Sequence, residues 1–258
     1  MVLRGGQPAL VWARPSGGCL VYSEDRKGEH PQAHLRGFRR LLQVDGYAGL
    51  AGLVRGNTND APQLAFCWAH ARRKFYDIHV ATRSPLAEEA LRRIAGLYAI
   101  EADIRGTPAE NRRSVRQQRS RPLVEAMRTW LTEQLERISG RSTLAQAMRY
   151  ALNHWNGLIL YLDDGRLELD TNTVERAMRP VALGRKNALF AGADSGGRHW
   201  AIIATLIQTA KLNDVEPLAW LTDVLQRIVA GRTKLNELAP LLLWNWKAAK
   251  ALEAPGTG

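Results

Sequence analysis

Short apolar runs dominate the first quarter of the chain, and longer helical stripes follow. Ala9-Leu-Val-Trp-Ala13 and Cys19-Leu-Val-Tyr22 are β-prone runs joined by Arg14-Pro-Ser-Gly-Gly18, a turn-rich link suited to a hairpin. Leu41 to Val44 and Gln63 to Phe66 predict two more strands, with Gly46 to Arg55 between them as a short helix weakened by three glycines. From about Ala69 the period becomes helical. Ser84-Pro85 is a cap and first-position pair opening a helix through Leu86, Ala90, Ile94, Leu97, Glu101 and Ile104, ended by Gly106. Pro122 starts another through Val124, Met127, Leu131, Leu135 and Ile138, stopped by Gly140. Ser142 starts a third through Leu144, Met148, Ala151, Trp155, Ile159 and Leu162. These three stripes predict an all-α insertion with its own apolar faces. The basic run from Asn111 to Arg121 between them reads as a solvated helix face. Beyond the insertion, Ile202, Ile203, Leu206, Ile207 and Ala210 mark an amphipathic helix, Pro217 to Ile228 another, and Trp244-Asn-Trp246 lies in the tail.

Composition narrows the class. The 258 residues suffice for one large domain or two modest ones. No apolar run nears the roughly 18 residues of a membrane helix, and no signal-peptide core opens the chain, so a soluble cytoplasmic protein is expected. Lys and Arg exceed Asp and Glu by 36 to 25, a net charge of +11 that favours a polyanionic partner. Two cysteines exclude a disulfide scaffold. Cys67-Trp-Ala-His70 has half of a metal-ligand spacing, but no second Cys/His pair answers it, so zinc is not expected.

The candidate chemistry lies in two carboxylates and their basic surroundings. Asp45 ends the run Leu41 to Val44 and precedes Gly46. It fits a carboxylate projecting from a strand end, or a turn-forming Asp-Gly pair. Glu175 follows Asn172 by three residues, as in a capping box, and precedes Arg179 by four, a helix-surface ion pair worth only about 0.3 kcal/mol. It also lies roughly 100° round the helix from the apolar stripe of Val174 and Met178, at the core's edge, where a metal ligand could stand. Arg72, Arg73 and Lys74 follow Cys67 and His70 on a helix start, and Arg176, Arg179, Arg185 and Lys186 surround or follow Glu175. Each basic set is either a solvated surface or a grip on phosphate. His30, His34, His79, His154 and His199 lack ligand-like spacing.

The order of the blocks is more specific than any one of them. Val44-Asp-Gly-Tyr-Ala-Gly49, Cys67-Trp-Ala-His-Ala-Arg-Arg-Lys-Phe75, Leu97-Tyr-Ala-Ile-Glu101, Asp164-Gly-Arg166, Val174-Glu-Arg176, Arg185-Lys-Asn187, Leu189-Phe-Ala-Gly192 and Thr209-Ala-Lys-Leu-Asn213 follow one another in this chain. In that order, from about Gln7 to Trp246, the chain resembles the catalytic region of transposases of the insertion sequence 66 family. The resemblance implies an α/β, ribonuclease-H-like mixed sheet with a large all-α insertion. Residues 1–78 would be the first part of the catalytic domain, 79–163 the insertion, 164–230 the second part with the glutamate helix, and 231–258 a tail. It implies a triad of two aspartates and a glutamate holding Mg²⁺ or Mn²⁺, with Asp45 as the second aspartate and Glu175 as the glutamate. Arg72, Arg73, Lys74, Arg176, Arg179, Arg185 and Lys186 would hold the DNA backbone. Cys67 and His70 match a Cys-x-x-His block of uncertain role. Thr171-Asn172 stands where the family has Asn-Asn. The family's first aspartate belongs on a strand ahead of Ala9, where this sequence has no acidic residue, and Asp25 lies beyond the expected hairpin. The expectation is an N-terminally truncated transposase, inactive alone, that binds DNA as a homo-oligomer or in mixed assembly with full-length transposase. The alternatives are a non-catalytic DNA-binding or regulatory fragment and a decayed remnant with no selected role.

Overall fold

A computed structural model describes residues 17–25, 27–46, 48–54, 61–172, 174–176, 178–179, 193–234 and 236–253. The expected strand at Ala9 to Ala13 and the basic loop with Arg185 and Lys186 lie outside these residues. The chain divides into two compact units, one of residues 25–175 and one of residues 1–24 with 176–258.

In the first of these, α1 (Glu29–His34) leads to β1 (Leu41–Val44), and a 3₁₀ turn (Ala48–Leu53) leads to β2 (Gln63–Phe66). The strands pair in parallel, Leu41 opposite Gln63 and Val44 opposite Phe66. Among the described residues this two-stranded sheet is the whole of the β-structure, and the fold is otherwise helical. Helix α2 (Trp68–Thr82) leaves the end of β2, and α3 (Pro85–Asp103) opens on Ser84, whose hydroxyl accepts from the Ala87 amide. Next come α4 (Ala109–Val115), a π-helical turn (Arg116–Ser120), α5 (Arg121–Arg137) and α6 (Thr143–Asn153).

The stripes of the expected insertion do not close on themselves. Ile94 and Leu97 of α3, Val124, Met127 and Leu131 of α5, and Met148 and Ala151 of α6 share one core with Ala65 of β2 and Trp68 and Phe75 of α2. These helices therefore buttress β2, the strand that leads into Cys67.

Three expectations are corrected. The third helix does not run unbroken to Leu162, because it gives way to α7 (Trp155–Leu158) and α8 (Leu160–Asp163). His154 interrupts it, its Nδ1 2.7 Å from the Tyr150 carbonyl and its ring edge-on to Phe66 at 4.5 Å. Gly157 then passes so near β2 that a Cβ there would lie 2.5 Å from the Leu64 carbonyl oxygen. The chain bends because it must lie against the strand.

The basic run after Asn111 is only in part a solvated face, since Arg113 and Arg119 are exposed but Arg112 and Arg116 are not. Arg116 is fully buried and Arg112 nearly so. Arg116 donates from Nε and Nη2 to both oxygens of Glu101, at 2.7 and 2.6 Å, and from Nη1 to the carbonyls of Tyr161 and Asp164. Arg112 grips both oxygens of Glu168 and the Leu167 carbonyl. A charge stripped of water persists when it is paired and hydrogen-bonded, as Arg116 is through Nε and both Nη atoms and Arg112 through its Nη atoms, the buried Arg112 Nε making no hydrogen bond.

The third correction concerns Cys19 to Tyr22, in the other unit, which form no strand. The amides of Gly18 and Leu20 donate to the hydroxyls of Thr209 and Thr205, and those hydroxyls donate back to the carbonyls of the same two residues. Both threonines stand on α9 (Asp194–Leu212). Four helical residues rise about 6 Å, close to the two-residue step of an extended chain, so the helix replaces a neighbouring strand. This unit also holds α10 (Pro217–Val229) and α11 (Leu243–Glu253), whose Trp220 and Leu243 pack with Ala210 and Val215. The apolar stripe expected on α9 is only partly covered, since Ala210 is buried whereas Ile202 and Ile203 are exposed. None of the described helices is long and apolar enough to cross a membrane.

Replacing Arg116 by Met should leave Glu101 buried without its main counter-charge and cost about 3–5 kcal/mol of unfolding free energy in urea titrations. Adding Glu101→Gln to that variant should restore most of the loss. A single variant within about 1 kcal/mol of the parent would show that the pair is not a structural requirement.

Candidate metal centre

The site is assembled at the end of β2 by a segment that arrives from residue 164. Asp164 opens it, accepting from the Arg166 amide and guanidinium, contacts that hold its carboxyl below the usual carboxylate range. Gly165 runs directly beneath Ala109, where a Cβ would lie 1.7 Å from the Ala109 carbonyl oxygen, so only glycine fits. Beyond it, Gln43 of β1 donates its amide to the carbonyls of Glu168 and Asp170, at 2.6 and 3.1 Å. The Leu169 carbonyl accepts from the Trp68 amide, and the Thr171 amide donates to Cys67 Sγ at 3.2 Å. Residues 168–171 are thus fastened to β1 and to the first turn of α2.

This fastening delivers Glu175. The amides of Val174 and Glu175 both donate to the Thr171 carbonyl, starting a helical stretch, and the Thr171 hydroxyl donates to Glu175 Oε1 at 3.1 Å. The residue that meets the glutamate is therefore Thr171 rather than Asn172. Asn172 instead gives its amide groups to the Asp170 carboxylate, which the expected capping box did not foresee. Glu175 Oε1 also lies 3.8 Å from His70 Nδ1, a buried nitrogen that makes no hydrogen bond. Cys67 Sγ, His70 and the Glu175 carboxylate lie within 4.8 Å of one another. The grouped atoms are thus a thiol, an imidazole and one carboxylate, which is not a triad of carboxylates. A second group of ligand-type side chains, Asp25, Glu29 and His30, is more exposed and already engaged, both carboxylates with Lys27 and His30 with Asp25.

Burial pushes the Cys67 thiol above its ordinary value, against the lowering effect of the Thr171, His70 and Ala69 amides. Burial and the nearby Asp170 carboxylate likewise raise the Tyr98 phenol. Tyr150, also raised by burial, senses both Cys67 and Asp45.

Asp45 is exposed and immediately follows β1, and Gly46 after it adopts a φ of +89° beside the Tyr150 hydroxyl. Val44 and Phe66 are paired, so Asp45 and Cys67 leave adjacent parallel strands at the same end, with the strands about 4.8 Å apart. Asp45 is not among the three grouped ligand atoms. Arg72, Arg73 and Lys74 are exposed on α2, Arg72 over the ring of Tyr76 and Lys74 Nζ 4.4 Å from the centre of the Tyr150 ring. Arg176 and Arg179 are exposed on the helical stretch after Glu175. Sequence reasoning missed Thr171, Asp170, Tyr98 and Tyr150. Thr171 was within reach, because a hydroxyl four residues before a helical glutamate can meet it across one turn.

Comparison with known proteins agrees with this arrangement of blocks. The Transposase IS66 family model matches residues 7–199, and the IS66 C-terminal element matches residues 205–244. The uncharacterized protein y4jD of Sinorhizobium fredii is 47% identical over 237 residues, covering 91% of this chain and 46% of that protein. Two more uncharacterized proteins of that organism, y4qI and y4hP, are 42% and 44% identical and cover 93% and 92% of this chain. The chain spans about half the length of these curated relatives. No solved structure matches it. With residues 7–199 and 205–244 matched by the family model and its C-terminal element, the chain belongs to the IS66 transposase family.

Proposed function

We propose that this chain supplies part of the catalytic centre of a DDE-type DNA transposase, built on a ribonuclease-H-like sheet of which β1 and β2 are two strands. The observation that carries the reading is the shared strand end. Asp45 follows β1, Cys67 follows β2 in register beside it, and the Glu175 carboxylate is held against Cys67 and His70. On this reading two acidic residues half a chain apart meet at one end of the sheet.

Asp45 and Glu175 would hold Mg²⁺ or Mn²⁺, whose preference for hard oxygen ligands they suit. The ions would activate the attacking oxygen and stabilise the leaving one. The rest falls to the protein. Thr171 orients the glutamate by its hydrogen bond to Oε1, and the Gln43 contacts keep the supporting segment against the strand that ends at Asp45. Arg72, Arg73, Lys74, Arg176, Arg179, Arg185 and Lys186 would grip the backbone of transposon-end and target DNA without reading its bases. The family's first aspartate has no counterpart before Glu24 in this sequence. On this reading the chain alone is inactive and works in a larger assembly, as a homo-oligomer or with full-length transposase.

The test is metal-dependent nicking of supercoiled DNA. This chain alone should not nick. A hybrid joined to the part of y4jD that this chain does not cover should do so in Mg²⁺ or Mn²⁺, and Asp45→Asn or Glu175→Gln should each lower its rate at least about a hundredfold, near 2.7 kcal/mol of barrier. Unchanged nicking by either variant hybrid would contradict the assignment. Robust nicking by the unextended chain, lost in Glu175→Gln, would show that another acid completes the centre.

DNA binding by the chain should be salt-steep and indifferent to sequence. With six phosphates neutralised, affinity should fall about 10³-fold between 50 and 200 mM salt in fluorescence-anisotropy titrations. A flat salt response, or preference for one end sequence, would contradict a backbone grip.

A further inference from the structure

We propose that Cys67, His70 and Glu175 form a three-ligand site for a borderline transition-metal ion of the zinc class, separate in chemistry from the Mg²⁺ or Mn²⁺ held through Asp45. The first ground is the donor set. A thiolate and an imidazole are poor ligands for Mg²⁺ and good ones for Zn²⁺, Co²⁺ or Ni²⁺, and a carboxylate is an accepted third ligand. The sequence lacks a second Cys/His pair, but the fold brings the third donor from about a hundred residues away.

Geometry is the second ground. Zinc bonds of about 2.0–2.3 Å in a tetrahedral arrangement place neighbouring ligand atoms roughly 3.3–3.8 Å apart. His70 Nδ1 and Glu175 Oε1 are 3.8 Å apart, and all three donors fall within 4.8 Å of one another. His70 Nδ1 is also a buried nitrogen with no hydrogen-bond partner. An orphaned polar atom of this kind calls for an explanation, and a metal bond to its lone pair is one.

The surroundings support two of the ligands. Thr171 donates its amide to Cys67 Sγ and its hydroxyl to Glu175 Oε1, contacts of the sort that orient ligands and raise metal affinity. Cys67 also stands immediately before α2, so its sulfur lies beside the first turn of the helix that carries His70. With three protein ligands the ion keeps an open position. Glu175 has a second carboxylate oxygen, which lets one side chain serve both this ion and the one shared with Asp45. Zinc occupancy would thereby fix the glutamate on the strand end before DNA arrives. The inference shares the placement of Glu175 with the proposed function but does not depend on DNA cleavage.

The probe is Co²⁺ added to the metal-free full chain and followed by absorption. One equivalent should produce a thiolate-to-cobalt charge-transfer band in the near ultraviolet together with tetrahedral visible bands, and Zn²⁺ should displace both. Cys67→Ser should abolish the charge-transfer band, and Cys19→Ser should leave it intact. Glu175→Gln alters a half-exposed side chain and so tests the site without disturbing the core. It should retain the charge-transfer band but weaken Co²⁺ binding at least about tenfold, as should His70→Ala. Absence of the band, its survival in Cys67→Ser, its loss in Cys19→Ser, or undiminished affinity in Glu175→Gln would overturn the proposal. A normal cobalt site in a hybrid unable to nick DNA would leave this inference standing and remove the catalytic one, and nicking without the band would do the reverse.

Discussion

A guanidinium with no access to water sets the terms for much of this structure. Arg116 can stay charged in the core only if Glu101 neutralises it and nearby carbonyls take its remaining protons. Those carbonyls belong to Tyr161 and Asp164, where the chain turns from the last helix of the insertion into the segment bearing Thr171 and Glu175. Satisfying one buried cation therefore fixes where that segment begins. Arg112 extends the constraint to Glu168, and Gln43 and Trp68 carry it on to the sheet.

Several family blocks thereby acquire structural roles. Glu101 is a counter-charge, Asp164-Gly-Arg166 is a turn with room only for glycine against Ala109, and Trp68 ties α2 to Leu158 and Leu169. The Cys-x-x-His block does more than pack. Its thiol receives the amide that begins the glutamate's helical stretch, and its imidazole faces the carboxylate itself.

What could be read from the sequence follows from the range of the forces involved. The strands at Leu41 and Gln63, the Ser84-Pro85 start and the stripe of Val124, Met127 and Leu131 depend on local period and capping, and all of them are present. The break at His154 was hidden, because it is imposed by the approach of Gly157 to β2 and leaves the apolar spacing intact. Arg116 was misread for a similar reason. Its neighbours in sequence are polar, and the partners that permit its burial lie on α3, on α8 and just after α8. Asp45 and Glu175 were identifiable as candidates from their blocks, but the grouping of Glu175 with Cys67 and His70 arises only through the long-range contacts of Thr171.

The central claim is that the fold directs the Asp45 and Glu175 carboxylates to one end of the sheet, around the thiol and imidazole of Cys67 and His70. A crystal structure of the chain grown with Mn²⁺ tests it most directly. The carboxyl carbons of Asp45 and Glu175 should lie within roughly 10 Å, close enough to flank ions about 3.5–4 Å apart, with anomalous manganese density between them. Carboxylates at opposite ends of the sheet, or manganese bound far from both, would contradict the account.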